Sequence, residues 1–150
     1  MKIRLSVSKE KYAEVEKALS QCGIEIDDTA EFVLSENNRF IDNLLVKDSV
    51  SGNRVQLSVD EIVYIETFGH TVEVHTLTEK YLATDRLYQI CQMLDAEKFL
   101  RISNSVVVAK DMVRNIQPTL SMKFILTLAE GTRVDVTRSY YYIFKESFGI

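Results

Sequence analysis

At 150 residues, 46% hydrophobic and 27% charged, with a net charge of −4, the chain has the make-up of a globular protein of one ordinary domain, or one domain with a short appendage. Its longest apolar runs fall far short of the ~18 residues that cross a bilayer. Met1 to Val7 alternates polar with apolar residues and lacks the apolar stretch of a secretory leader, so the expected setting is cytoplasmic. Cys22 and Cys91 stand far apart, glycine is scarce and Pro118 is the only proline, which argues against a disulfide scaffold and against long disordered linkers.

Lys2 to Val7 sets Ile3, Leu5 and Val7 on one side of a strand. Ser8 then offers an N-cap to a helix in which Tyr12, Val15, Leu19 and Cys22 recur at helical spacing, and Gly23 supplies the stop. Both cysteines are expected on apolar helix faces as reduced core residues. Residues 24–26 and 31–34 read as short strands, so 1–40 is expected to be a small β-α-β appendage. It is too short for a phosphoacceptor receiver domain, which needs a full doubly wound sheet with clustered carboxylates. The acidic pair Asp27-Asp28 reads as a solvated turn. The polar break Ser35-Glu36-Asn37-Asn38-Arg39 places the boundary, and 41–150 forms the main domain.

In that domain Leu44-Leu45-Val46 and the run from Val55 to Val59 flank a Ser51-Gly52-Asn53 turn as a hairpin. Ile62 to Ile65 and Thr71 to Thr76 make a second pair around Phe68-Gly69. Thr84 can cap a helix carrying Leu87, Ile90, Cys91 and Leu94 on one stripe. Strands are expected at 106–108, 112–116, 123–128 and 132–136, with turns at Pro118 and Glu130-Gly131. A final helix from about Ser139 packs Tyr141, Phe144 and Phe148. Many short strands with frequent turn signals predict a mainly antiparallel β domain.

No residue set for catalysis stands out: there is no serine elbow and no glycine loop to cradle phosphate. His70 and His75 lie five apart, so on a strand their rings point to opposite faces, and no His/Cys cluster has zinc spacing. Neither a metal nor another cofactor is expected. The charge, however, is segregated. Residues 98–145 carry eight basic against three acidic side chains, whereas 42–97 carry four against ten. Such asymmetry marks a polarised surface, or else cations on solvated strand faces.

The most unusual segments lie in the basic part: Phe99-x-Arg101-x-x-Asn104-Ser105, and Val136-Thr137-Arg138-Ser139-Tyr140. Arginine can pair bidentately with guanine, asparagine with adenine, and Ser or Thr hydroxyls can hold phosphates. Together these segments resemble the closing signature of the LytTR, or LytR/AlgR, family of bacterial DNA-binding domains, over a stretch from Leu44 to Ile150. The family has Phe-x-Arg-x-His-(Arg or Asn)-Ser and Val-Ser-Arg-x-Tyr at these places. Two departures stand out: Ser103 replaces the frequent histidine, and Ala109 an asparagine.

The resemblance implies an elongated antiparallel β-sheet sandwich with short helices, preceded by the β-α-β unit. It implies a transcription regulator, without catalysis, that binds repeated half-sites in double-stranded promoter DNA as a homodimer. It makes Arg138 the major-groove base reader, and the alternative is a helix-start arginine in solvent. Asn104 reaches the DNA, with Ser105 and Arg101 near the backbone; Arg101 could instead form a structural salt bridge to a carboxylate. His70, in a segment like the family's first recognition loop, is either a base or phosphate contact or a packed turn histidine. Ser139, Lys110 and Arg133 complete the expected DNA-binding set. Residues 1–40 are expected to serve dimerisation or signal input. The runner-up function is a protein-interaction module of the same fold that has lost DNA binding and meets a protein partner that controls activity.

Overall fold

A computed structural model describes residues 1–36 and 40–150, and the chain divides into two compact units, Met1–Arg39 and Phe40–Ile150. Asn37, Asn38 and Arg39, the heart of the polar break, lie outside the described residues.

In the first unit β1 (Lys2–Ser6) is the centre of a three-stranded parallel sheet, between β2 (Glu25–Ile26) and β3 (Phe32–Ser35). Helix α1 (Lys9–Gln21) connects β1 to β2. The register puts Ile3, Leu5, Ile26, Phe32 and Leu34 on one face, and only Ile3 among them is fully buried. Ser8 stands at the N-cap of α1 but its hydroxyl makes no capping bond; its N–H instead donates to Glu36 Oε1 at 2.5 Å. Asp27 accepts from the Thr29 N–H and hydroxyl. Those bonds, and Lys2 nearby, hold its carboxyl below the usual range, so this acid fastens a turn. Cys22 departs from expectation. It is exposed at the helix C-cap, because α1 buries none of its residues and so has no core to give it.

The second unit is the mainly antiparallel β domain expected. Seven antiparallel strands form one sheet in the order β5-β4-β8-β7-β6-β10-β9. They are β4 (Asn43–Asp48), β5 (Arg54–Ser58), β6 (Tyr64–Phe68), β7 (Thr71–His75), β8 (Lys80–Ala83), β9 (Phe99–Arg101) and β10 (Val106–Ala109). A three-stranded antiparallel sheet follows, β11 (Val113–Pro118), β12 (Phe124–Leu128) and β13 (Arg133–Val136), in sequential order. Helix α2 (Leu87–Met93) lies between β8 and β9, and α3 (Tyr141–Phe148) closes the chain.

Two cores explain the packing. On one face of the large sheet Leu44, Val46, Ile65, Val74 and Val107 meet Leu87, Ile90 and Leu94 of the α2 segment. On the other face Tyr64, Val106 and Val108 meet Phe124, Leu126 and Val136 of the small sheet and Phe144 of α3. Strands β6 and β10 sit between the cores, so the run Val106-Val107-Val108-Ala109 is buried on both sides. An unbroken apolar strand is the signature of that position. Each buried valine of that run contributes ~1.5–3 kcal/mol.

Several expected elements differ. β8 carries no alternation to mark it, and only its pairing with β4 and β7 makes Lys80-Tyr81-Leu82-Ala83 a strand. Helix α2 begins after Arg86, not Thr84, with Gln89 Oε1 accepting from the Arg86 N–H at 2.9 Å. Val59–Glu61 is a 3-10 turn that delays β6 to Tyr64. Pro118 ends β11 opposite Phe124 rather than standing in a turn, a place where an edge strand tolerates proline. Cys91 packs against the first core, and burial pushes its thiol pKa up. No described helix is long and apolar enough to cross a membrane.

Candidate nucleic-acid interface

The two unusual segments become one surface through backbone pairing. Strand β9 turns through Ile102–Ser105 into β10, and β13 runs through Thr137 into a 3-10 turn, Arg138–Tyr140, that opens α3. The Thr137 N–H donates to Ile102 O at 3.0 Å, and the Thr67 N–H, near the end of β6, donates to Ser105 O at 2.9 Å. The Tyr140 hydroxyl donates to Asn104 Oδ1 at 3.2 Å, so Asn104 and the Arg138 junction are held by one phenol.

The 102–105 turn is rigid for reasons its residue types supply. Arg101 Nε donates to Ser103 O at 3.1 Å and its Nη2 to Asn104 O at 2.6 Å. The Ser103 hydroxyl accepts from the Ser105 N–H at 3.2 Å. Arg101 thus clasps two carbonyls and, among the described residues, no carboxylate. Ser103 is buried, so its place in the family pattern is filled by a residue that fastens the turn from inside. Ala109 is likewise buried, its N–H donating to Val63 O.

Asn104, Ser105, Arg133, Arg138 and Ser139 line one open groove of about 800 Å³, with Lys123, Thr137, Glu66 and Asp135. Arg138, Ser139 and Asn104 are exposed. Among the described residues the Arg138 guanidinium has no hydrogen-bond or ionic partner, and neither has the Asn104 amide nitrogen. Arg133 Nη2 reaches Gln117 Oε1 only at 3.5 Å. Three cations against two carboxylates leave the groove positive in a chain that is acidic on average.

Three expected residues lie elsewhere. His70 is exposed in the β6–β7 turn, beside Gly69 in the left-handed region (φ 59°). Arg101 sits behind the turn it clasps. Lys110, past the far end of β10, donates to Ser147 O at 3.2 Å and lies 5.4 Å from the centre of the Phe148 ring, so it satisfies the C-terminus of α3. Lys123 and Glu66 join the groove without any motif to mark them. Lys123 is one residue before Phe124, which pairs with Val136, so only strand register brings it beside Thr137.

His75 stacks on Tyr64, ring centres 4.2 Å apart, and bonds Glu73 at 3.2 Å, with Lys80 on the same carboxylate at 3.3 Å. Glu66 lies across from Glu73 on this face. Burial pushes the Glu66 carboxyl above its ordinary value of 4.5; His75 opposes the rise and Glu73 adds to it.

The family model of the LytTr DNA-binding domain matches residues 52–149. The chain belongs to the LytTr DNA-binding domain family. A solved LytTr DNA-binding domain from Bacillus cereus superposes with a TM-score of 0.68 at 21% identity, over 73% of this chain and 99% of that one, which shows the shared fold. Sensory transduction protein LytT of Bacillus subtilis (strain 168) is 27% identical over 110 residues, 73% of this chain and 46% of its own length. Transcriptional regulatory protein LytR of Staphylococcus aureus (strain N315) is 27% identical over 94 residues, 63% of this chain and 38% of its own. This LytTr chain therefore spans less than half the length of these relatives. The LytTr match covers the groove and both segments that meet in it, and it begins beyond the parallel sheet of residues 1–39.

Tyr140→Phe tests the tie between the segments within this LytTr surface. The variant loses one partly exposed hydrogen bond, worth about 0.5–1.5 kcal/mol, so thermal stability should move little. DNA affinity in a fluorescence titration should fall about 2- to 10-fold as Asn104 gains freedom.

Proposed function

We propose that this protein is a sequence-specific DNA-binding transcription regulator that reads duplex DNA with Arg138 and Asn104 and performs no catalysis. The observation that carries the reading is the convergence, on one positive groove, of Arg138, unpartnered among the described residues, and Asn104, whose amide oxygen the Tyr140 hydroxyl bonds. Arg138 pairs with a guanine edge and Asn104 with a base or the sugar edge beside it. Ser105, Ser139, Arg133 and Lys123 hold phosphates and fix the register. His70 makes a separate contact from its turn. Arg101 and Lys110 serve the interface through the fold, by fixing the 102–105 turn and α3. Two copies occupy the repeated half-sites of one promoter, in the cytoplasm, with residues 1–40 serving dimerisation or signal input.

The test is a titration of the full chain with fragments of its own promoter region against scrambled duplex at several salt concentrations. Affinity that falls with rising salt and favours one fragment supports the reading. Indifference of Arg138→Ala and Asn104→Ala at low salt would sink it. That result would favour a protein-interaction module, whose support is the net charge of −4 and the two carboxylates in the groove.

Glu66 makes DNA binding pH-sensitive. Its carboxylate opposes phosphate at neutral pH, so affinity should rise as the pH is lowered toward its elevated pKa. Glu66→Gln should bind DNA about 2- to 10-fold more tightly at neutral pH, the effect of one partly screened charge, and should flatten that pH dependence. The sign for stability is the same. A raised folded-state pKa means that the folded protein holds the proton more tightly, so the Glu66 contribution is full below about 4.5 and is lost as pH rises through the folded value. An unchanged pH profile in the variant would assign the titration elsewhere.

A further inference from the structure

The parallel sheet of the first unit ends at β3, an edge with which no further strand pairs among the described residues. Its order, β2-β1-β3, is the opening of a flavodoxin-like sheet, in which the next strand would lie beside β3. Here no such strand follows among the described residues, and Phe32, Val33 and Leu34 on β3 are 63%, 45% and 41% exposed. Among its described residues the unit buries one hydrophobic side chain, Ile3. Units below ~40 residues seldom stand without disulfides, a metal or oligomerisation. Cys22 is the only cysteine in the unit, and no metal-holding cluster exists among the described residues.

We propose that β3 pairs antiparallel with β3 of a second copy of this chain, about a two-fold axis at Val33, joining two three-stranded sheets into one of six. This deepens the reading of residues 1–40 as a dimerisation unit and rests on it. Backbone parity selects the geometry. The Glu36 N–H donates inward to Ser6 O, so Phe32 and Leu34 also direct their backbone groups to β1, while Glu31, Val33 and Ser35 direct theirs outward. Antiparallel pairing can therefore set Val33 against Val33 and Glu31 against Ser35. Phe32 then lies opposite Leu34 on the face shared with Ile3, and the four apolar side chains meet across the seam. The register two residues along would put Phe32 against Glu36. A short edge and three side chains a copy fall at the low end of interface area, ~1,200 Å² or less, so the dimer is weak in free solution. Two half-sites on one duplex would raise the effective concentration and complete it.

Sedimentation equilibrium of the full chain, from micromolar to near-millimolar concentration without DNA, should show the mass rising from 17.2 kDa toward twice that value. Val33→Pro removes an outward N–H without breaking a bond to β1, and proline is accepted on edge strands. It should stay monomeric throughout, with unchanged circular dichroism and unchanged affinity for a single half-site. Phe32→Ser, at an exposed position, should weaken association at least 10-fold. A wild-type chain that stays monomeric overturns both the proposal and the dimer reading. A dimer indifferent to Val33→Pro and Phe32→Ser overturns the proposal alone. A dimer that Val33→Pro abolishes, in a protein that binds no DNA, supports the proposal and sinks only the DNA reading.

Discussion

Arg138→Ala is expected to weaken binding to the cognate site by about 5- to 150-fold while leaving binding to scrambled duplex nearly unchanged. The range is the ~1–3 kcal/mol of discrimination in a bidentate arginine–guanine contact. The fold should not suffer. Arg138 follows fully buried Val136 by two residues, yet it is itself exposed and unpartnered among the described residues, and such substitutions stay within ~0.5 kcal/mol in stability. Arg138→Lys should not restore specificity, because an ammonium lacks the planar fork. Lys123→Ala provides the contrast: loss of a phosphate contact weakens all sequences alike and lowers the salt slope by about 1. If Arg138→Ala behaves like Lys123→Ala, Arg138 holds phosphate and the base reader must be sought at Asn104.

Phe144→Ala should cost about 3–5 kcal/mol of stability, the range for a large aromatic removed from a core. Its ring is fully buried, 5.0 Å from the Phe124 ring and 4.6 Å from Phe148. It is the one buried residue of α3, and a helix of eight residues has little stability of its own. Without the anchor the helix should detach, and with it go the Lys110 bond to Ser147 and the position of Tyr140. A fall in melting temperature of about 10–30 °C is expected by calorimetry, together with loss of DNA binding well below the melting point. Tyr142→Ala, on the exposed side of the same helix, should do neither. A Phe144→Ala protein that melts lower but binds DNA normally would show that α3 does not position the groove.

Much of the strand framework was legible because alternation and turn chemistry are local. Leu44 and Val46 mark β4, and Gly69 and Gly131 mark turns at the left-handed angles that glycine adopts readily. β8 was not legible, since three half-buried residues in a row have no period and its place comes from two neighbours. Cys22 misled because helical spacing states which face is apolar, not whether anything covers it. In the site, a motif could name Arg138 and Asn104 but not relate them, because they belong to different sheets. Ser103, a departure from the family pattern, proved to be an inward turn fastener, a role visible only once its hydroxyl and the Ser105 N–H share a turn.

The amino-acid order alone therefore settled the class of fold, the family, and the segments rich in hydrogen-bonding and cationic side chains. These depend on residue type and spacing, which a linear chain carries in full. Tertiary structure alone decided which side chains share the groove. It gathered Lys123 and Glu66 in, placed Lys110 and His70 elsewhere, and gave Arg101 two carbonyls of the 102–105 turn to clasp. The physical reason is that a groove is a property of strand register and sheet-on-sheet packing. Its members come from β6, the β9–β10 turn, the residue before β12, β13 and the 3-10 turn after it, and the long-range backbone bonds from Thr137 to Ile102 and from Thr67 to Ser105 bring them within reach of one ligand.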